Sequence, residues 1–214
     1  FFLKDIDECE TYSDKCHVNA LCNNTHGSHV CTCKPGYTGD GRNCTDIDEC
    51  SKAHTVKMND CDPNASCTNT QGSYICSCKS KYIGNGLNCE ADPCYYYKNL
   101  SEANRKESYK TPYGSELCDK QLPEGWYRFV GAAGTKMPTT RVSDYRCGAV
   151  HPGWLDDTHP TVEDGEASKK VCFSDRNGNK CREIKNISVK NCGSYFIYNL
   201  IRPLKCQMRY CGTD

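Results

Sequence analysis

Two short acidic runs carry the side chains best suited to chemistry: Asp5-Ile6-Asp7-Glu8 ahead of Cys9, and Asp46-Ile47-Asp48-Glu49 ahead of Cys50. Carboxylates crowded beside a cysteine offer hard oxygens, and a calcium ion takes about six to eight of these. A second polar set, His151, Asp156, Asp157 and His159, could be drawn as a metal or acid–base site. Bounded by Pro152 and Pro160, it reads instead as a surface loop. The chain has no nucleophile motif and no glycine-rich phosphate loop, so it is read as a binding or structural protein and not an enzyme.

The elements that must position these groups follow from composition. Of 214 residues, 20 are cysteine, a density that marks secreted disulfide scaffolds and an oxidising, extracellular compartment. The cysteine count is even, so every thiol can pair, and the spacings do not fit zinc-ligand pairs. Acidic and basic residues number 27 each. That balance gives no reason to expect nucleic acid or an anionic membrane as partner. No apolar run approaches the ~20 residues of a membrane helix, so no direct membrane insertion is expected. The chain opens Phe1-Phe2-Leu3-Lys4 without initiator Met or signal peptide, and is expected to be a processed form or a segment of a longer protein.

The acidic runs head two repeats. The first holds Cys9, Cys16, Cys22, Cys31, Cys33 and Cys44; the second holds Cys50, Cys61, Cys67, Cys76, Cys78 and Cys89. The last four in each are spaced nine, two and eleven residues apart. Gly27-Ser28 recurs as Gly72-Ser73, and Gly39-Asp40-Gly41 as Gly84-Asn85-Gly86. Units of about forty residues bury too little apolar surface to offset chain entropy and need crosslinks. Spacing alone leaves about fifteen connectivities open per unit.

These cysteine patterns resemble calcium-binding EGF-like domains, over residues 5–45 and 46–90. The resemblance implies Cys9–Cys22, Cys16–Cys31 and Cys33–Cys44, then Cys50–Cys67, Cys61–Cys76 and Cys78–Cys89. It implies calcium as cofactor, held by the side chains of Asp5, Glu8 and Asn24 with the carbonyls of Ile6, Thr25 and Ser28. The second set is Asp46, Glu49 and Asn69 with the carbonyls of Ile47, Thr70 and Ser73. The family's aromatic position is Tyr74 in the second unit and His29 in the first. Only Thr45 separates Cys44 from Asp46, too short a joint for a flexible spacer. With Tyr37 packed on the second unit, as in the family, a stiff rod is expected. The joint Glu90-Ala91-Asp92-Pro93 lacks a metal clamp and is expected to be freer.

From Cys94 the grammar changes: Cys94, Cys118, Cys147, Cys172, Cys181, Cys192, Cys206 and Cys211 are widely spaced. Aromatic and β-branched clusters (Tyr95–Tyr97, Trp126–Val130, Ile184–Val189, Tyr195–Tyr198) suit a β-rich core. Asp175-Arg176-Asn177-Gly178 reads as a hairpin turn bringing Cys172 opposite Cys181. Leu122-Pro123-Glu124-Gly125-Trp126-Tyr127-Arg128-Phe129, Gly134-Thr135-Lys136-Met137-Pro138, Thr158-His159-Pro160 and Arg209-Tyr210-Cys211 make residues 92–214 resemble the uromodulin-type eight-cysteine domain. That resemblance implies Cys94–Cys192, Cys118–Cys206, Cys147–Cys211 and Cys172–Cys181, with a further family bridge absent at Arg141 and Lys180.

The expected fold is thus a set of small disulfide-rich β domains: two EGF-like modules in a rod plus a β-rich eight-cysteine domain. Sequons at Asn23, Asn43, Asn64, Asn99 and Asn186 could carry N-glycans. Asn199-Leu200-Ile201, where the family carries a glycan, is not a sequon. The expected function is that of a calcium-binding structural glycoprotein of an extracellular matrix or filament. Its expected partners are extracellular proteins, copies of itself or glycan-mediated contacts. The other reading is a recognition module, a receptor ectodomain or soluble decoy.

Overall fold

A computed structural model describes residues 5–11, 13, 15–53, 57–176 and 178–214, apart from the side chains at 178–180. Phe1 to Lys4, and Asn177 of the expected hairpin turn, lie outside the described residues. The chain divides into two compact units, the first ending at Ala91 and the second spanning Asp92–Asp214.

Each repeat of the first unit is a pair of two-stranded hairpins, as its spacing predicts. The first repeat pairs β1 (Ala20–Thr25) with β2 (Ser28–Cys33), and β3 (Tyr37–Gly39) with β4 (Cys44–Asp46). The second pairs β5 (Ala65–Thr70) with β6 (Ser73–Cys78), and β7 (Tyr82–Gly84) with β8 (Cys89–Ala91). Little apolar surface is enclosed. Val18 is 78% exposed and Ile75 57%, and the second repeat centres on Cys61, Ala65 and Cys89. The crosslinks hold these hairpins: Cys9–Cys22, Cys16–Cys31 and Cys33–Cys44 in the first repeat, and Cys50–Cys67, Cys61–Cys76 and Cys78–Cys89 in the second.

The repeats are packed against each other. The Ile47 N–H donates to the Gly36 carbonyl at 2.9 Å. The Tyr37 ring lies against Gly72, where an added Cβ would stand 2.7 Å from Tyr37 Cε2. Gly72 is at φ +77°, so both its conformation and its neighbour exclude a side chain.

The second unit has a seven-stranded sheet. Its strands are β9 (Lys98–Leu100), β10 (Gly125–Phe129), β11 (His151–Leu155), β12 (Glu166–Asp175), β13 (Gly178–Asn191), β14 (Phe196–Leu200) and β15 (Met208–Tyr210). Their order is β15-β11-β12-β13-β14-β10-β9, antiparallel except for the two outermost pairings. One face buries Tyr127, Phe129, Leu155, Phe173, Ile187, Val189, Tyr198 and Tyr210 in a continuous apolar core. The bridges Cys94–Cys192, Cys118–Cys206, Cys147–Cys211 and Cys172–Cys181 complete the set, and all twenty cysteines are paired.

One sequence reading is overturned here. His151, with Pro152 beside it, does not belong to a surface loop: His151–Leu155 is an inner strand buried at every residue. Pro152 and Gly153 weaken the strand signal, but tertiary packing requires the glycine. The Phe173 ring lies 2.6 Å from where a Gly153 Cβ would stand.

A buried ionic cluster braces the same unit. Arg105 and Asp119, 3% and 2% exposed, form a two-pronged pair at 2.9 and 2.8 Å. The Tyr210 N–H also donates to Asp119 Oδ2 at 2.9 Å, and Arg209 Nε lies 3.8 Å from Asp119 Oδ1. Such a pair is tolerable in low dielectric because each polar atom is answered.

Candidate calcium sites

In the first repeat the β1–β2 hairpin and the acidic run meet. Asp5 Oδ2 accepts the Asn24 amide at 2.9 Å and Oδ1 accepts the Gly27 N–H at 2.7 Å. The Gly27 N–H, then the Asn24 amide, hold the Asp5 carboxyl below the usual carboxylate range. Asn24 Oδ1 and Glu8 Oε2 are buried without a hydrogen-bond donor.

The second repeat reproduces this. Asp46 Oδ2 accepts the Asn69 amide at 2.7 Å and Oδ1 accepts the Gly72 N–H at 2.5 Å. The same two donors, Gly72 first, lower the Asp46 carboxyl. Glu49 Oε2 is again buried and unpartnered. Buried oxygens without donors cost free energy unless something cationic answers them. Asp, Glu and Asn oxygens are the donor set a hard divalent cation requires, so these residues fit calcium.

The other acids of the runs have different work. Asp7 Oδ1 accepts the Cys9 and Glu10 N–H groups, and Asp48 Oδ1 the Cys50 N–H. These are turn caps of the kind aspartate favours. Of the proposed carbonyl ligands, those of Ser28 and Ser73 each accept a threonine hydroxyl, from Thr25 at 2.7 Å and Thr70 at 2.8 Å. Each keeps a second lone pair. Ile6, Thr25, Ile47 and Thr70 lie in the same two loops and hairpins.

Two features escape sequence reasoning. Gly27 and Gly72 donate the N–H groups that seat Asp5 and Asp46; the recurring Gly-Ser pairs are their only signal. At the aromatic position, His29 Nδ1 lies 3.9 Å from Glu8 Oε2, whereas the Tyr74 hydroxyl accepts the Asp60 N–H at 3.1 Å.

The polar set of the second unit does not converge. His159 Nε2 bonds the Tyr198 hydroxyl at 2.7 Å, while Asp156 pairs with Lys170 at 2.7 Å and Asp157 with Lys169 at 3.3 Å. Among the described residues the cluster Cys16, His29 and Cys31 also gathers metal-type side chains. Its cysteines are bonded to each other and offer no thiolate. Of the sequons, Asn23, Asn43, Asn99 and Asn186 are exposed and Asn64 is half-buried.

Comparison with known proteins gives these geometries a family. Residues 9–44 and 55–89 match the EGF domain, and residues 127–212 match the uromodulin-like domain of eight cysteines. The chain is two EGF domains followed by a uromodulin-like eight-cysteine domain. It is 37% identical to mouse uromodulin over 99% of its own length and 36% identical to the rat protein over the same share. It is 43% identical to the dog pancreatic secretory granule membrane major glycoprotein GP2 over 58% of its length, 23% of that protein. The chain spans 35% of mouse uromodulin. With its ten bridges, this architecture belongs to an extracellular protein.

Proposed function

We propose that the chain is a calcium-binding, non-catalytic structural part of an extracellular glycoprotein assembly, in which calcium stiffens the EGF pair and the eight-cysteine domain is the head. The reading rests above all on Asp46. Its backbone pairs with Tyr37 of the first EGF domain, while its carboxylate is seated by Gly72 and Asn69 of the second. Tyr37 in turn packs on Gly72. A cation held by Asp46, Glu49 and Asn69 ties the joint to both domains, and its binding supplies charge neutralisation for the orphaned Glu49 oxygen.

By the same reasoning the Asp46 site binds more tightly than the Asp5 site, because Tyr37 packs on Gly72 beside it, whereas at the Asp5 site the His29 ring stands near the Glu8 carboxylate. In this reading, exposed aromatics such as Tyr95, Tyr96 and Tyr113, together with glycans, supply the contacts to copies of the same chain or to other extracellular proteins.

The test is calcium titration calorimetry on the intact chain and on Asn69→Ala, with limited proteolysis around Thr45. Binding at the Asp46 site should weaken about tenfold or more in Asn69→Ala, a change of ~1.4 kcal/mol. Calcium should also protect the joint in the unaltered chain. No heat at millimolar calcium, or the same cleavage with and without it, rules the reading out.

A further inference from the structure

One of the two outermost strands of the seven-stranded sheet, β9, carries the sequon Asn99-Leu100-Ser101. Leu100, 3% exposed, anchors this strand in the core, and its carbonyl accepts the Val130 N–H at 3.0 Å. Strand alternation turns Asn99 the other way, and it is exposed. Its register partner in β10 is Arg128, so the two share the outer face of the sheet.

That face holds an ordered aromatic platform. The Arg128 guanidinium stacks 3.8 Å from the Tyr195 ring centre and donates to the Tyr97 hydroxyl at 3.1 Å. Tyr97 and Tyr195 meet edge to face at 5.6 Å, and the Tyr195 hydroxyl is tied to the Cys94 carbonyl at 2.5 Å. Tyr97 stands two residues before Asn99, the strand spacing that returns to the same face. No other sequon has an aromatic residue at this place: Leu21, Gly41, Asp62 and Ile184 precede Asn23, Asn43, Asn64 and Asn186.

We propose that Asn99 is an N-glycosylation site whose first N-acetylglucosamine lies on the Tyr97 ring, covering the open edge of the seven-stranded sheet. The transfer joins Asn99 Nδ2 to C1 of an oligosaccharide carried on a lipid diphosphate. The C1–O bond to the diphosphate breaks, Nδ2 gives up one proton, and the lipid diphosphate departs as the anion. The sugar's C–H face is weakly positive and meets the negative face of the phenol ring. Arg128 and Tyr195 hold that ring in place, so little side-chain entropy is lost when the sugar settles. The bulk of the glycan beside β9 then bars another strand from pairing with its free edge. The inference stands apart from the calcium reading, since none of these residues belongs to either EGF site.

The chain, secreted from eukaryotic cells and trimmed enzymatically to single N-acetylglucosamines, is the material for the test. Peptide mapping is expected to find Asn99 occupied, and an unmodified Asn99 overturns the proposal. Against Asn99→Gln, the eight-cysteine domain of the trimmed protein should melt higher by roughly 3–6 °C, between the shifts expected of smaller and larger domains. The difference should persist with Tyr97→Phe, which keeps the ring, and vanish with Tyr97→Ala. An equal difference with and without the ring overturns the seat. Should Tyr97→Ala fail to fold, proton NMR of the unaltered trimmed protein decides. Sugar protons on Asn99 shifted upfield from those of the denatured chain support ring stacking, and unshifted protons refute it.

Discussion

In the second EGF domain the nearest thing to a core is Cys61, Ala65 and Cys89, whereas the eight-cysteine domain buries fourteen side chains in one apolar cluster. The EGF bridges close short segments, 11 to 17 residues in sequence separation, and leave Leu21, Val30 and Ile75 more than half exposed. Three bridges of the eight-cysteine domain span 98, 88 and 64 residues and pin distant parts of a sheet that already has packing of its own. The first region is held by restricting the unfolded chain. The second adds burial and a satisfied buried ion cluster. The two regions should therefore respond to different insults, and the comparison can be broken or sharpened by applying them.

The largest effect is expected from Arg105→Leu, which strands the buried Asp119 charge. Removing one partner of such a pair costs about 3–5 kcal/mol. Both tryptophans, Trp126 and Trp154, lie in the eight-cysteine domain, so their fluorescence in urea reports that domain alone. The midpoint should fall sharply while calcium binding by the EGF pair is unchanged; an unmoved midpoint would remove the ion cluster from the account.

Next comes Cys61→Ser with Cys76→Ser. Losing a native bridge from a small secreted domain costs typically about 2–5 kcal/mol. With little buried apolar packing among its described residues, the second EGF domain should become protease-sensitive and lose the proposed calcium site, while the tryptophan-reported transition stays put. A protected, calcium-binding double variant would show that the EGF pair has more packing than its exposed side chains indicate.

A smaller change tests the contact between the repeats. Gly72→Ala combines a left-handed backbone with the Tyr37 ring 2.7 Å from the new methyl carbon, and should cost about 1–2 kcal/mol. Its signature is faster cleavage near Thr45 and weaker calcium binding at the Asp46 site, with the Asp5 site less affected. Equal weakening at both sites would mean that the joint is not what distinguishes them.

The mildest effect is one of acidity and is confined to the eight-cysteine domain. Burial, with Lys136 and Lys169 nearby, lowers the pKa of His159 from 6.5 to about 4. Its Nε2 and the Met137 N–H share the Tyr198 hydroxyl, which accepts from Met137 at 2.9 Å and so donates to a neutral imidazole. The folded state therefore disfavours the charged ring. The unfolded chain takes up the proton first, so stability is full above pH 6.5 and declines as pH falls towards about 4. His159→Gln should flatten that decline in a thermal-melting series between those values; an unaltered slope would assign the acid sensitivity elsewhere.

Much of this was legible because it is local. Asp-Ile-Asp-Glu-Cys recurs intact, the Gly-Ser pairs mark the hairpin turns, and short cysteine spacings carry the module's pattern. The later strands around Trp126–Val130 and Tyr195–Tyr198 announced themselves by aromatic density. The strand His151–Leu155 did not, since Pro152 and Gly153 carry turn signals that only the Phe173 ring and the neighbouring strands override. His29 beside Glu8 was visible as a departure from the aromatic position, but not as a neighbour of a candidate ligand.

The sequence by itself determined the modules, their order, the oxidising compartment and the candidate oxygen donors, because those depend on residues close together along the chain. Only the tertiary structure decided which oxygens are left without donors, and that Asp7 and Asp48 cap turns. It alone placed Asn99 on one face with the Arg128 platform, and joined Arg105, Asp119 and Tyr210 across as many as 105 positions. Contacts of that separation leave no periodic trace, since their energy comes from excluding water around groups that the chain brings together only on folding.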